Sequence, residues 1–191
     1  KGTAQVLSGG RYAHADERKP GDRAMNALQI RKEAVEAAVR IHGGGLVAGS
    51  FFLEQHHDTP IAALARLLNA PDRRFLPFVD RASSDVRFIS RDHIAMVWPT
   101  APGVALDAPR LAAGELVQGV TLDFGDTTLF GDVLVGDMHP DRRRLVDVLN
   151  DPRPFFVLRT VERMYLIHKL RVRTAHLDRS RPSGPQPRAH S

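Results

Sequence analysis

The sequence predicts an α+β fold that is mostly β, built from two tandem, pseudo-symmetric ββαβββ copies of a small β-barrel-like domain with extended tails. Three observations predict it. Segments of the chain resemble one another with a period of about 80 residues. The first segments of each copy alternate apolar and polar residues, and each copy then carries a short amphipathic helix that ends at an asparagine, Asn69 and Asn150.

The first two strands of each copy are predicted to form a hairpin. Val35 to Ile41 alternates apolar and polar side chains, which is typical of a half-buried strand. The same region is rich in helix formers, but the aligned Leu116 to Phe124, with its β-branched Thr121, favours a strand. Glycine-containing turns then predict the second strands, at Val47 to Leu53 and Leu129 to Val135.

A helix is predicted after each hairpin. Thr59 followed by Pro60 is typical of a helix start, and the second helix is expected to begin at about Asp141. Asn69 and Asn150 are expected to end the helices because asparagine tolerates the left-handed conformation of a C-terminal cap. The apolar helix faces are Ile61, Leu64, Leu67 and Leu68 in the first copy, and Leu145, Val148 and Leu149 in the second.

The rest of each copy is predicted to be a third strand and a closing hairpin. The third strands are Phe75 to Val79 and Phe155 to Leu158. The hairpins pair Val86 to Ile89 with Ile94 to Trp98, and Met164 to Ile167 with Leu170 to Thr174. The predicted organisation is an extended basic arm (1–30), the first repeat (31–99), a Pro/Ala linker (100–113), the second repeat (114–176) and an extended tail (177–191).

The sequence around the end of each helix resembles a small bacterial domain family of unknown function. Arg66-Leu67-Leu68-Asn69 is followed by Arg74-Phe75-Leu76-Pro77, and Val148-Leu149-Asn150 leads to Phe155-Phe156. The resemblance would cover Val35 to Trp98 and Leu116 to Thr174. It implies a fold type and no activity. The second copy departs from the pattern where Leu158 replaces Pro77.

Composition excludes several classes of function. The chain has no cysteine, which rules out disulfides, thiolate metal sites and cysteine nucleophiles. No serine-hydrolase elbow, phosphate-binding loop, zinc-protease motif or dinucleotide fingerprint occurs, so we expect no enzyme activity and no cofactor. The formal net charge of +5 indicates an acidic partner; the alternative is the coding bias of a GC-rich genome, because nearly all the basic residues are arginine. Few aromatic residues are available for base stacking, which argues against sequence-specific nucleic-acid binding.

Two clusters are candidate binding sites. His56 and His57, with His139 in the second copy, are weak candidates for a metal site; the alternative is an exposed polar turn. Three arginines before the second helix and two after the first are candidates for an anion or partner site, because a phosphate or carboxylate would offset their charge. These are Arg142, Arg143 and Arg144, and Arg73 and Arg74; the alternative is a solvated face screened by Asp141 and Asp147.

By elimination, we expect a non-catalytic scaffold or accessory subunit of a larger, membrane-associated assembly, such as a light-harvesting or respiratory complex. Its partners would be other protein subunits and an anionic membrane surface. No apolar run is long enough to span a bilayer, so the expected location is cytoplasmic or peripheral on the cytoplasmic face of a membrane. The alternative function is a sensor of a phosphorylated ligand or nucleotide that binds through Arg142 to Arg144.

Overall fold

The computed structural model describes residues 32–54, 59–100, 117–134 and 144–178. The strands of the first half are β1 (Lys32–Ile41), β2 (Leu46–Glu54), β3 (Phe75–Asp80), β4 (Val86–Ser90) and β5 (Ile94–Pro99). Those of the second half are β6 (Val117–Asp123), β7 (Thr128–Leu134), β8 (Phe155–Arg159), β9 (Met164–His168) and β10 (Thr174–Leu177). Helix α1 spans Pro60–Asn69 and helix α2 spans Leu145–Asn150.

The ten strands form one antiparallel sheet in the order β10-β6-β7-β8-β9-β5-β1-β2-β3-β4. The predicted mostly-β class with a small helical component is therefore confirmed. Strands of both halves meet at the centre of this sheet, where β9 pairs with β5. Within the described ranges, β10 and β4 are the two edge strands.

The hairpins at the start of each half form as predicted. β1 is a strand, with Val35, Ala37 and Val39 buried along one face. The turns that follow β1 and β6 contain Gly43 and Gly125, both with positive φ, a conformation that glycine adopts without steric cost.

Helix α1 begins and ends where the sequence predicts, but the conformation at its end differs from the expected one. The Thr59 hydroxyl accepts a hydrogen bond from the Ala62 amide at 3.4 Å, and Pro60 opens the helix. Asn69 is the last helical residue, and the cap at Ala70 is extended, with φ −63°. Among the described residues, Ser84 is the only non-glycine residue with a positive φ. The expected left-handed conformation of Asn69 and Asn150 is therefore wrong in both helices. The predicted start of α2 near Asp141 is wrong, because Arg144 is an extended N-cap and the helix begins at Leu145; residues 141–143 lie outside the described ranges.

The predicted closing hairpins do not form. A 3-10 turn at Arg91–His93 carries the chain away from β4, so that β5 pairs with β1 on the opposite side of the half. A second such turn, Lys169–Arg171, separates β9 from β10 in the same way, and β10 pairs with β6. The last strand consequently lies at Thr174–Leu177 and not at Leu170 to Thr174.

The strand registers also revise one alignment between the halves. Phe75 pairs with Ser90 at the start of β3, and Phe155 pairs with His168 at the start of β8. Phe75 and Phe155 therefore both lie at the first paired position of their strands, whereas equal spacing from the helix-ending asparagines would match Phe75 with Phe156. The connection between helix and strand is one residue shorter in the second half.

Two groups of buried side chains form the core, and the first draws on both halves. Helix α1 lies against β8 and β9, and its core group includes Phe155, Met164 and Leu166 of the second half. The second group lies around α2 and includes Met96 of β5. The predicted arm (1–30), most of the linker (101–113) and most of the tail (179–191) lie outside the described residues.

Candidate functional site

The arginines and histidines predicted as binding residues are only partly within the described ranges. Arg73 and Arg74 lie exposed in the connection between α1 and β3, and Arg144 lies exposed just before α2. The Arg144 amide donates to the Asp147 carboxylate at 3.2 Å. The remaining candidates, Arg142, Arg143, His56, His57 and His139, lie outside the described residues.

A cavity of about 500 Å³ lies between the β1–β2 turn and the β6–β7 turn and carries an arginine cluster of its own. Its charged lining residues are Arg40, Asp126, Arg171 and Arg173, and His42 lies beside them. Three guanidinium groups therefore face one carboxylate. An excess of positive charge in a concave site attracts anions.

The contacts of these arginines leave part of their hydrogen-bonding capacity available. Arg40 forms an ion pair with Asp126 at 2.6 Å. One terminal nitrogen of Arg171 donates to the backbone carbonyl of Asp92, while its buried Nε has no hydrogen-bond partner within the described residues. Because a guanidinium carries five N–H donors, both side chains retain donors for a bound anion.

Sequence reasoning did not identify this cavity. Arg40, Arg171 and Arg173 come from separate segments and form no local motif. They meet only because β5 crosses to β1 and to β9, which brings the end of β1 close to the 3-10 turn after β9.

His168, at the end of β9, is a buried polar residue that sequence reasoning also missed. Its side chain is 1% exposed and lies edge-on to Phe155, with ring centroids 4.7 Å apart. Nδ1 accepts a hydrogen bond from the Leu170 amide at 3.2 Å, which places the proton of the neutral ring on Nε2. Nε2 has no hydrogen-bond partner within the described residues.

Burial and, to a smaller extent, the nearby charge of Arg171 together lower the pKa of His168 to about 4. The imidazole is therefore neutral at physiological pH. The neutral ring has no bonded carboxylate among the described residues, so His168 is suited to packing rather than to proton transfer.

A partly buried polar contact holds the end of α2 against the turn after β9. The Lys169 ammonium donates to the Asp151 carbonyl at 2.6 Å. The hydrogen bond from the Arg153 side chain holds the pKa of the Asp151 carboxyl below its usual value, and burial lowers the pKa of Lys169. Burial also raises the pKa of the Tyr165 hydroxyl in β9. We interpret these contacts as structural.

The edge strand β4 and its neighbour β3 expose large apolar side chains. Val86 is 60% exposed and Phe88 is 68% exposed, both on β4, and Phe75 at the start of β3 is 56% exposed. Within the described ranges, β4 pairs only with β3, so its other edge carries unpaired backbone groups. An exposed apolar edge strand is a surface on which another strand can pair.

One strand edge is covered within the chain itself, where β5 of the first half pairs with β9 of the second. We call this contact the seam. In it, Met96 pairs with Ile167, and Val97 pairs with Leu166. The side chain of Asn69, at the end of α1, bonds both backbone groups of the first residue of β8. Its Oδ1 accepts from the Phe155 amide at 2.9 Å, and its Nδ2 donates to the Phe155 carbonyl at 3.2 Å.

Among the described residues, no group of three or more His, Asp or Glu side chains is arranged to hold a metal ion. Within the same ranges, no helix combines the length and the apolar character that crossing a bilayer requires. No protein-family model, no curated protein and no solved structure matches the chain.

Proposed function

We propose that the chain is a non-catalytic scaffold or accessory subunit that binds other protein subunits through the edge of its sheet. In this proposal the two halves are copies of one ββαβββ unit. A membrane-bound complex is the proposed setting, with the chain on the cytoplasmic face. The formal net charge of +5 supports attraction to an anionic membrane surface.

The strand pairings support the duplicated unit. The first half is ordered β5-β1-β2-β3-β4 and the second β10-β6-β7-β8-β9, so that corresponding strands follow in the same sequence. Glycine occupies the same place in both second strands. A side chain on Gly49 would lie 2.0 Å from the Val79 carbonyl oxygen, and one on Gly131 would lie 2.4 Å from the Arg159 carbonyl oxygen.

The single observation that carries the scaffold proposal is the apolar face of β3 and β4. Phe75, Val86 and Phe88 are each more than half exposed on neighbouring strands at one edge of the sheet. Exposed apolar side chains that cluster on a folded surface mark interaction sites. Burial of one such side chain contributes about 1.5–3 kcal/mol, so a partner that covers all three gains a substantial part of its affinity here.

Replacement of Phe88 tests the scaffold proposal. The tagged chain would be purified from native membranes in mild detergent, and the accompanying proteins identified and quantified. We expect Phe88→Ser to lose a specific accompanying subunit. Phe130→Ser is the matched control, because Phe130 is 69% exposed but lies on β7 in the interior of the sheet.

Recovery of the unaltered chain as a lone monomer would contradict the scaffold proposal. Equal retention of the subunit by both variants would contradict the assignment of the β3–β4 face.

The second candidate function is binding of a phosphorylated or other anionic ligand, and the arginine-lined cavity favours it. The cavity of about 500 Å³ is large enough for a nucleotide-sized molecule. Charge-assisted hydrogen bonds from Arg40, Arg171 and Arg173 would hold the anionic group.

Titration calorimetry with inorganic phosphate and with a nucleoside triphosphate tests this candidate. We expect Arg173→Ala to weaken binding by about tenfold to hundredfold, since a hydrogen bond to a charged group contributes about 1.5–3 kcal/mol. Replacement of Arg142, Arg143 and Arg144 by alanine serves as the comparison. Loss of binding in that variant alone would assign the site to the cluster before α2, and absence of binding by the unaltered chain would exclude both sites.

A further inference from the structure

We propose that a second copy of this chain covers the β4 edge, by pairing its β10 strand with β4 and placing its α2 helix on the β3–β4 face. The contact repeats, between two molecules, the seam that joins the two halves within one molecule. It rests on the proposed scaffold function and names the partner of the same surface.

The internal seam has three components. Strand β5 of the first half pairs with β9 of the second. Helix α1 lies against β8 and β9. The side chain of Asn69 bonds the backbone of Phe155 at the start of β8. The first half therefore offers a strand, a helix and an asparagine to the edge of the second half.

Strand β10 holds the place of β5 in the second half. Val97 pairs with Val39 on β1, and Ala175 pairs with Leu122 on β6, the corresponding strand. The side of β10 that faces away from β6 therefore corresponds to the side of β5 that pairs with β9. Within the described ranges, that side of β10 has no partner strand.

Strand β4 holds the place of β9 in the first half. Ile89 pairs with Leu76 and Ile167 pairs with Phe156, at the second position of their respective third strands. Phe88 consequently corresponds to Leu166. Leu166 is fully buried by the internal seam, whereas Phe88 is 68% exposed. Val86 and Met164 are another corresponding pair, and they differ in the same way. Met164 is buried, whereas Val86 is exposed.

The start of the third strand shows the same difference. Phe155 is 3% exposed beneath α1, whereas Phe75 is 56% exposed. Asn150 ends α2 as Asn69 ends α1, but it is exposed. In a second copy, Asn150 would reach the backbone of Phe75. Val146, an apolar residue of α2, is also exposed and would be covered by this contact.

The two surfaces lie at opposite edges of the sheet, so the contact is head to tail. Head-to-tail contacts close into a ring or continue as a filament, depending on the rotation between neighbours. In this proposal the apolar residues of β4 are covered by β10 and α2 of the next copy.

Because the chain has no cysteine, a disulfide tests this pairing directly. Thr174 corresponds to Met96 and Ile89 to Ile167, so Thr174 and Ile89 should lie opposite each other in the contact. Opposite residues of antiparallel strands have Cα atoms about 4.5–5.5 Å apart, within the range that a disulfide bridges. The full-length variants Ile89→Cys and Thr174→Cys would be mixed and oxidised gently.

We expect a covalent dimer from the mixture and none from either variant alone. Ile89→Cys mixed with Val161→Cys is the control, because Val161 is 90% exposed but lies in the turn between β8 and β9. Sedimentation of the unaltered chain over a range of concentrations should show a dimer or larger species. Asn150→Ala should weaken the self-association by about tenfold, the effect of losing a pair of hydrogen bonds.

Absence of the mixed dimer, together with a monomer at all concentrations, would overturn the proposal of a second copy. A monomeric double variant, Ile89→Cys with Thr174→Cys, that forms an internal disulfide would overturn it too, because the edges would then close within one chain. In either case, loss of a different subunit by Phe88→Ser would leave the scaffold proposal standing. If Phe88→Ser loses no subunit and the chain does not self-associate, both proposals fail.

Discussion

Replacement of Asn69 should destabilise the fold far more than replacement of Asn150, although both asparagines end a helix. Asn69 makes two hydrogen bonds to the backbone of Phe155, which is buried, whereas Asn150 is exposed. Each lost bond costs about 0.5–1.5 kcal/mol net, and the buried amide and carbonyl of Phe155 would lose their partner as well. We therefore expect Asn69→Ala to lower the free energy of unfolding by about 2–3 kcal/mol.

Urea denaturation, followed by circular dichroism at low protein concentration, measures this difference. With a slope of about 2 kcal/mol per molar urea, the midpoint of Asn69→Ala should fall by about 1 M. Asn69→Leu should lose a similar amount, because it keeps the side-chain volume and removes both hydrogen bonds. Asn150→Ala should change the free energy of unfolding by less than about 0.5 kcal/mol, as is usual for an exposed site.

Equal effects of Asn69→Ala and Asn150→Ala at low concentration would refute the reasoning. They would mean that the hydrogen bonds across the seam contribute nothing beyond the ordinary role of an asparagine at a helix end. A stable Asn69→Leu beside an unstable Asn69→Ala would assign the effect to packing instead.

Three further predictions concern the core and the sheet. The pKa of His168 is about 4 in the folded chain, below the value of 6.5 in the unfolded chain. As the pH falls from about 6.5 to about 4, protonation therefore favours the unfolded chain and should lower the free energy of unfolding by about 3 kcal/mol. His168→Leu should abolish this part of the pH dependence, measured by urea denaturation across that range, and the exposed His93→Leu should keep it. Gly49→Ala should lower the melting temperature sharply or prevent folding, because the added methyl group would clash with the Val79 carbonyl oxygen. Gly45→Ala is the control: its methyl group meets no atom within 4 Å, so this variant should melt within a few degrees of the unaltered chain. Leu64→Ala, at a fully buried position of α1, should cost about 2–5 kcal/mol in the same denaturation assay, and a loss below 1 kcal/mol would contradict the position of α1 over the core.

The sequence predicted those strands, turns and helix ends that depend on residues close together in the chain. The alternation from Val35 to Ile41 specifies a strand because one face is buried, and positive φ at Gly43 and Gly125 permits the turns. Thr59 and Pro60 fix the start of α1 through one side-chain hydrogen bond and a preset backbone angle.

The pairing of distant strands could not be predicted in the same way. The apolar segments at β4 and β5 are adjacent in the chain and read as a hairpin, yet β5 pairs with β1 and β9. The choice depends on the 3-10 turn at Arg91–His93 and on packing with a strand that lies far along the chain. Arg171 and His168 become significant only through that packing, because neither belongs to a local motif.

The contribution of β8 and β9 to the core around α1 constrains how the protein is made. During synthesis the first half emerges from the ribosome before Phe155, Met164 and Leu166, which complete its core. Until they arrive, helix α1 and the outer edge of β5 expose apolar surface that the finished molecule buries. We expect cooperative folding only after the second half is available, with a long-range pairing step that slows it and leaves the nascent chain open to aggregation.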